Sequence, residues 1–188
     1  MAPDDPLERD AIVRAQAGDA GAYDAGAYDY LVSRHLGRVV SIAYSLLRNS
    51  GDAEDLAQEA FVKAYQNIGR FRTGEPFGPW VCRIVTNAAL DVLKHRTRFR
   101  HEELADTAPA PRRDGAELPA MSSQIAQRID LALEALPEMQ QIVARLHLIE
   151  ELEHAEIAAM TGLSEGTVRS HLSLARKKLK ETLADLYE

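Results

Sequence analysis

Cysteine is almost missing from this chain: Cys82 is the only one, so an internal disulfide and a multi-cysteine zinc site are both excluded. Long hydrophobic runs are missing as well. No apolar stretch approaches the roughly 18 to 20 residues that cross a bilayer, and Met1-Ala-Pro-Asp-Asp-Pro6 is acidic where a secretory leader would be basic. A cytoplasmic location with no membrane contact of its own is therefore expected. No Gly-rich phosphate loop occurs, and no segment has the alternating or β-branched pattern of a strand. What remains is an all-α reading.

The 188 residues, 46% of them hydrophobic, suit one or two small domains with packed cores. A net charge of −7 looks wrong for a nucleic-acid binder until it is resolved along the chain, and the alternation then found argues against a protein that simply coats DNA. Residues 1–60 hold 5 basic against 11 acidic residues and 61–101 hold 8 against 2. Residues 102–160 hold 4 against 12, and 161–188 hold 5 against 4. Two basic segments in an acidic chain suit two nucleic-acid contacts, with acidic surface left for another partner.

Apolar spacing predicts helices near 7–17, 22–48, 52–68 and 80–98, with Leu31, Leu36, Val39, Val40, Ala43, Leu46 and Leu47 inward on the second. Asn49-Ser50-Gly51 is read as a break and Asp52 as the cap of the next helix. Residues 69–79 hold three glycines and two prolines and are read as a loop, with Pro79 opening the next helix. From 99 to 123 the periodicity disappears among Pro109, Pro111, Gly115 and Pro119, which reads as a flexible linker. The expected organisation is an N-terminal domain at 1–98, a linker at 99–123 and a C-terminal domain at 124–188, with helices near 125–136, 138–150, 155–160 and 165–184. The tandem repeat at 19–28, Asp-Ala-Gly-Ala-Tyr twice, is expected before the second helix or absorbed by a loop, because five residues inserted inside a helix would rotate its downstream face by roughly 140°.

The strongest motif is C-terminal. Thr161-Gly162-Leu163-Ser164 offers Gly162 for a positive φ and Ser164 as the cap of a following helix, which is the turn of a helix-turn-helix. Beyond it Val168, Leu172, Ala175 and Leu179 fall at steps of four, three and four and form an apolar stripe. The opposite face carries Thr167, Arg169, Ser170, His171 and Ser173, where a recognition helix meets base edges, then Arg176, Lys177, Lys178 and Lys180 for phosphates. Ile157, Ala158 and Met160 are expected to face inward from the first helix of the pair.

A second motif stands upstream. Asp52-Ala-Glu-Asp-Leu-Ala-Gln-Glu59 leads through Tyr65 to Arg70-Phe-Arg72, followed by Pro79-Trp80-Val-Cys-Arg83-Ile-Val-Thr-Asn87. With the helix-turn-helix in second place, the chain resembles the extracytoplasmic-function (ECF) sigma factors over about residues 8–98 and 125–182. That resemblance implies two helical domains that bind core bacterial RNA polymerase, one for the minus-10 and one for the minus-35 promoter element. It implies docking of Asp52, Asp55, Gln58 and Glu59 on the clamp helices of the polymerase's largest subunit, and contact of the C-terminal domain with the flap of the second largest. By the same resemblance Arg70, Phe71, Arg72, Phe77, Trp80, Arg83 and Asn87 capture an unpaired base of the minus-10 strand, and Lys94, Arg96, Arg98 and Arg100 meet phosphate beside it. Thr167, Arg169, Ser170, His171, Ser173, Arg176 and Lys177 read the minus-35 element. An anti-sigma protein as inhibitor is implied too, and no metal, cofactor or catalytic residue.

Three features depart from the family pattern: Gly78-Pro79 before Trp80, His171 and Leu174 where many members carry arginine, and the tyrosine-bearing repeat. Two other classes compete. A stand-alone LuxR-type regulator shares the Ser164–Leu172 stretch but leaves the upstream acidic block and basic loop unexplained. An enzyme using Cys82 with a histidine is the weaker alternative, because Cys82 sits in an apolar helical context and is expected to be buried.

Overall fold

The computed structural model describes residues 5–17, 25–103 and 120–184, and these residues are helical with no named strand. The chain divides into two compact units, Met1–Ala110 and Pro111–Glu188. In the first unit α1 is Pro6–Gln16, α2 Ala25–Leu47, α3 Ser50–Asn67 and α4 Phe77–Glu103. In the second, α5 is Ala120–Glu134, α6 Glu138–Leu148, α7 His154–Thr161 and α8 Glu165–Thr182.

Helix α2 packs against α1, α3 and α4, and its stripe of Leu31, Val39, Ile42, Ala43, Leu46 and Leu47 is buried as its period requires. Two expected positions differ: Leu36 is exposed, one residue outside the buried face, and Val40 is half-buried at its edge. Small Ala53, Ala57, Ala60 and Ala64 on α3 are buried at helical spacing, which lets neighbouring backbones approach closely. The break between α2 and α3 is tighter than the sequence suggested. Arg48 takes the left-handed conformation (φ 56°) and Asn49 rather than Asp52 is the cap, its Oδ1 accepting from the Asp52 amide at 2.9 Å. Asp52 is thereby inside the first turn.

The expected loop at 69–79 is shorter. A 3-10 turn occupies Ile68–Arg70 and α4 already starts at Phe77, so Pro79 lies in the first helical turn rather than at its first position. It still sits where an amide proton has no partner within the helix. Helix α4 also runs five residues past the predicted end at 98, through Phe99-Arg-His-Glu-Glu103, which contains neither Pro nor Gly. Helix α5 begins at Ala120, inside the expected linker; residues 104–119 of that linker lie outside the described residues, as does the first copy of the repeat at 19–23. Against the expectation that the repeat precedes the second helix, residues 25–28 of its second copy are the first turn of α2, where Tyr28 is half-buried and its ring meets those of Tyr65 at 5.0 Å and Phe77 at 6.3 Å.

In the second unit α6 packs against α5, α7 and α8. Leu133, Leu136, Ala144 and Ala175 cluster with Leu179, closing the α5/α6/α8 core. Buried Arg145 on α6 is ion-paired with Asp130 on α5 at 3.1 Å. Exposed Lys178 on α8 donates to the Ala135 carbonyl at 3.0 Å, just past the end of α5.

Candidate nucleic-acid and polymerase interfaces

The turn between α7 and α8 forms as its residues require. Gly162 adopts φ 74° and its amide donates to the Ala158 carbonyl at 3.0 Å, while Ser164 Oγ accepts from the Thr167 amide at 3.1 Å. Ile157 and Met160 are buried; Ala158 is half-buried, between core and surface. Val168, Leu172 and Ala175 are buried in turn, so the opposite face of α8 is presented outward.

On that face Thr167, Arg169, Ser170, Ser173, Arg176 and Lys177 are exposed. They are not equally free. Thr167 Oγ1 is 2.8 Å from Ser164 Oγ, and Ser170 Oγ donates back to the Gly166 carbonyl at 3.0 Å, so both hydroxyls are engaged in the first turns of the helix. Arg169 has only a loose ion pair with Glu165 at 4.0 Å. Arg176 Nη2 donates to His147 Nε2 at 2.9 Å, and His147 Nδ1 donates to the Leu152 carbonyl at 2.9 Å, an arrangement that orients this guanidinium from α6. His171 departs from the expectation of a fully presented contact: it is half-buried and its Nδ1 is enclosed, so the ring is turned partly into the unit.

The N-terminal unit sorts its predicted residues more sharply. Phe77 is fully buried and Phe71 nearly so, and Trp80 is half-buried with its ring 4.7 Å from that of Phe71 and 5.6 Å from that of Phe77. The two phenylalanines are core residues and form the floor of the loop, on which the half-buried Trp80 rests. Arg70, Arg72, Arg83 and Asn87 are exposed. Gly74 (φ 109°) makes the turn at the loop's tip, and Arg72 reaches Glu75 across it at 3.9 Å. Asn87 lies one turn beyond Arg83 on the same face of α4.

On α3, Asp55, Gln58 and Glu59 are exposed, with Glu59 4.0 Å from Lys63. Asp52 is different. It is half-buried and ion-paired with Arg96 of α4, so its carboxylate fastens α3 to α4, and Arg96 is correspondingly committed within the protein. Lys94 lies 3.5 Å from Asp91 and Arg98 is exposed; the side chain of Arg100 lies outside the described residues. Cys82 is buried in α4.

The description of Sigma-70 region 2 matches residues 31–99, and that of Sigma-70 region 4 matches residues 126–179. The ECF RNA polymerase sigma factor SigW of Bacillus subtilis is 30% identical over 93% of this chain and 96% of its own length. This chain belongs to the ECF sigma factors. SigE of Mycolicibacterium smegmatis is 36% identical over 83% of the chain, which spans 61% of that relative. The sigma factor RpoE of Bartonella quintana, solved with the anti-sigma factor NepR, has the same fold, with a TM-score of 0.67 over 84% of this chain, 96% of that one and 24% identity. The ECF sigma factors are transcription initiation factors, and with sigma-70 regions matched in both units a stand-alone LuxR-type regulator is not favoured. Among the described residues no helix is long and apolar enough to cross a membrane.

Proposed function

We propose that this chain acts as an alternative sigma factor that binds core RNA polymerase, brings it to specific promoters and assists their opening. The observation that carries this reading is the pair of outward surfaces in the family's order: an acidic α3 face beside a basic loop in the first unit, and the polar face of a capped α8 in the second. Asp55, Gln58 and Glu59 form the polymerase-docking face, with Asp52 holding the helix in place from below. Arg70, Arg72, Arg83 and Asn87 receive the unpaired minus-10 strand, Asn87 supplying an amide that matches a base edge and the arginines supplying charge for the backbone. Arg169 reads the minus-35 element and Arg176 and Lys177 hold its phosphates. RNA synthesis belongs to the polymerase, so the chain needs no catalytic residue, metal or cofactor of its own. A cytoplasmic site of action and control by an anti-sigma protein complete the reading.

The test is direct. Reversing Asp55 and Glu59 to lysine should weaken association with core polymerase while helical content stays the same, and Asn87→Ala should impair opening of a duplex promoter far more than closed-complex formation. Equal affinity of the charge-reversed protein for core enzyme would remove the α3 assignment.

A further inference from the structure

Helix α1 lies before the matched region at 31–99 and has no role in the reading above. Yet two of its side chains hold both ends of the loop that follows α3. Gln16 Nε2 donates to the carbonyls of Ile68 (2.9 Å) and Phe71 (2.6 Å), and Gln16 Oε1 accepts from Thr73 Oγ1 at 2.9 Å. One amide thus makes three bonds to backbone and side chain 52 to 57 residues downstream. At the other end Glu8 Oε1 accepts from the Phe77 amide at 3.1 Å, capping the first residue of α4 from a distant helix. The second oxygen of Glu8 is held by Arg34 Nε at 3.1 Å and His35 Nε2 at 3.2 Å, which fixes the carboxylate itself.

The consequence is geometric. Arg70 and Arg72 stand on either side of Phe71, whose ring is in the core and whose carbonyl is tied to Gln16. With that carbonyl and Thr73 both fixed, the two arginines are held outward on a loop whose tip is a positive-φ glycine. Short loops without such anchors sample many conformations, and ordering them on binding costs affinity.

We propose that α1 is a positioning element for single-strand capture: Gln16 and Glu8 hold the 68–77 segment in its binding-ready shape before DNA arrives. This rests on the assignment of Arg70, Arg72 and Asn87 to the minus-10 strand. Gln16→Met keeps helix propensity and length and removes all three bonds. Thr73→Val, at an exposed position, removes one of them from the loop side.

The experiment uses the full chain bound to core polymerase and a panel of short fluorescent single-stranded DNA oligonucleotides that together place each of the four bases at every position, the tightest binder serving as the reference probe. Gln16→Met should weaken oligonucleotide binding roughly tenfold, about what 1.4 kcal/mol of lost preorganisation gives, and flatten the preference among bases. Thr73→Val should do the same to a smaller degree. Affinity for core polymerase should hold, while the thermal midpoint followed by Trp80 fluorescence falls by only the few degrees that lost hydrogen bonds cost. Unchanged binding and base preference in both variants, while Asn87→Ala weakens capture, would overturn the α1 inference alone. Loss of core affinity together with a larger fall in the midpoint would overturn it too, since the two mark a merely structural role. If Asn87→Ala and Arg72→Ala leave capture intact, the underlying assignment of the loop is what fails.

Discussion

The loop after α3 and the recognition helix α8 both present basic and polar groups to nucleic acid in this reading, and they are built in opposite ways. Helix α8 carries its own instructions: Gly162 and Ser164 set its start, and the spacing of Val168, Leu172 and Ala175 decides which face is left outward. The loop has no such internal frame. Its aromatic residues turn inward onto Trp80, and its backbone is held by Gln16 and Glu8 from a helix more than fifty residues earlier. A surface on a helix can be changed one side chain at a time, whereas a surface on a loop is only as good as the contacts beneath it.

The comparison is most easily broken at Phe77. Truncating this fully buried ring to alanine should cost about 3–5 kcal/mol and lower the first transition in chemical unfolding followed by Trp80, which reports the N-terminal unit because it is the chain's one tryptophan. Exposed Arg169→Ala should leave unfolding within about 0.5 kcal/mol of the parent. A stable Phe77→Ala protein with impaired DNA binding would mean that the ring serves DNA and not the core.

Next in size is the effect of the same Arg169→Ala change on DNA. A base-reading arginine should lose roughly 1–3 kcal/mol and relax preference at one position, while Arg176→Ala should weaken all sequences alike and reduce the salt slope by about one. Minus-35 variants measured at two salt concentrations separate the two. The reverse pattern would place α8 differently on its site. His147→Ala should resemble a mild Arg176→Ala, because it removes only the group that orients the guanidinium.

Ser164→Ala should cost about 1 kcal/mol through the lost cap of α8, seen in unfolding followed by circular dichroism, with Trp80 fluorescence unaffected. A shift in the Trp80 transition would mean that the Ser164 cap is not confined in its effect to α8.

The smallest effect is expected from His35 of α2, which holds the Glu8 carboxylate. Burial holds the pKa of His35 below the usual imidazole value of 6.5, against the opposing pull of Glu8, while Arg34 beside it adds to the depression. The folded unit therefore keeps this ring neutral where the unfolded chain takes up a proton. Its contribution is complete above about pH 6.5 and is lost as pH falls from there through the lower folded value. The Trp80-monitored midpoint should drop on mild acidification, and His35→Gln should remove that part of the slope. An unchanged slope in the variant would show that His35 is not the group responsible.

What the amino-acid sequence determined by itself is whatever is encoded within one or two helical turns. The all-α class, the stripes of α2 and α8, the Gly162 turn, the Ser164 cap and the buried setting of Cys82 all follow from spacing and local hydrogen bonding. That Asn49 and not Asp52 is the cap has no local signal, because two capping residues three positions apart compete for the same start and the backbone at Arg48 chooses. The remaining decisions belong to the tertiary structure. Phe71 and Phe77 have no period to say whether they face DNA or core, and it is the packing of Trp80 and α2 that turns them inward. Asp52 reads as one more acid on an acidic face until Arg96 arrives from another helix. Gln16 and Glu8 carry no local signal at all, since a hydrogen bond to a residue fifty or more positions away exists only once the chain has folded and brought the two together.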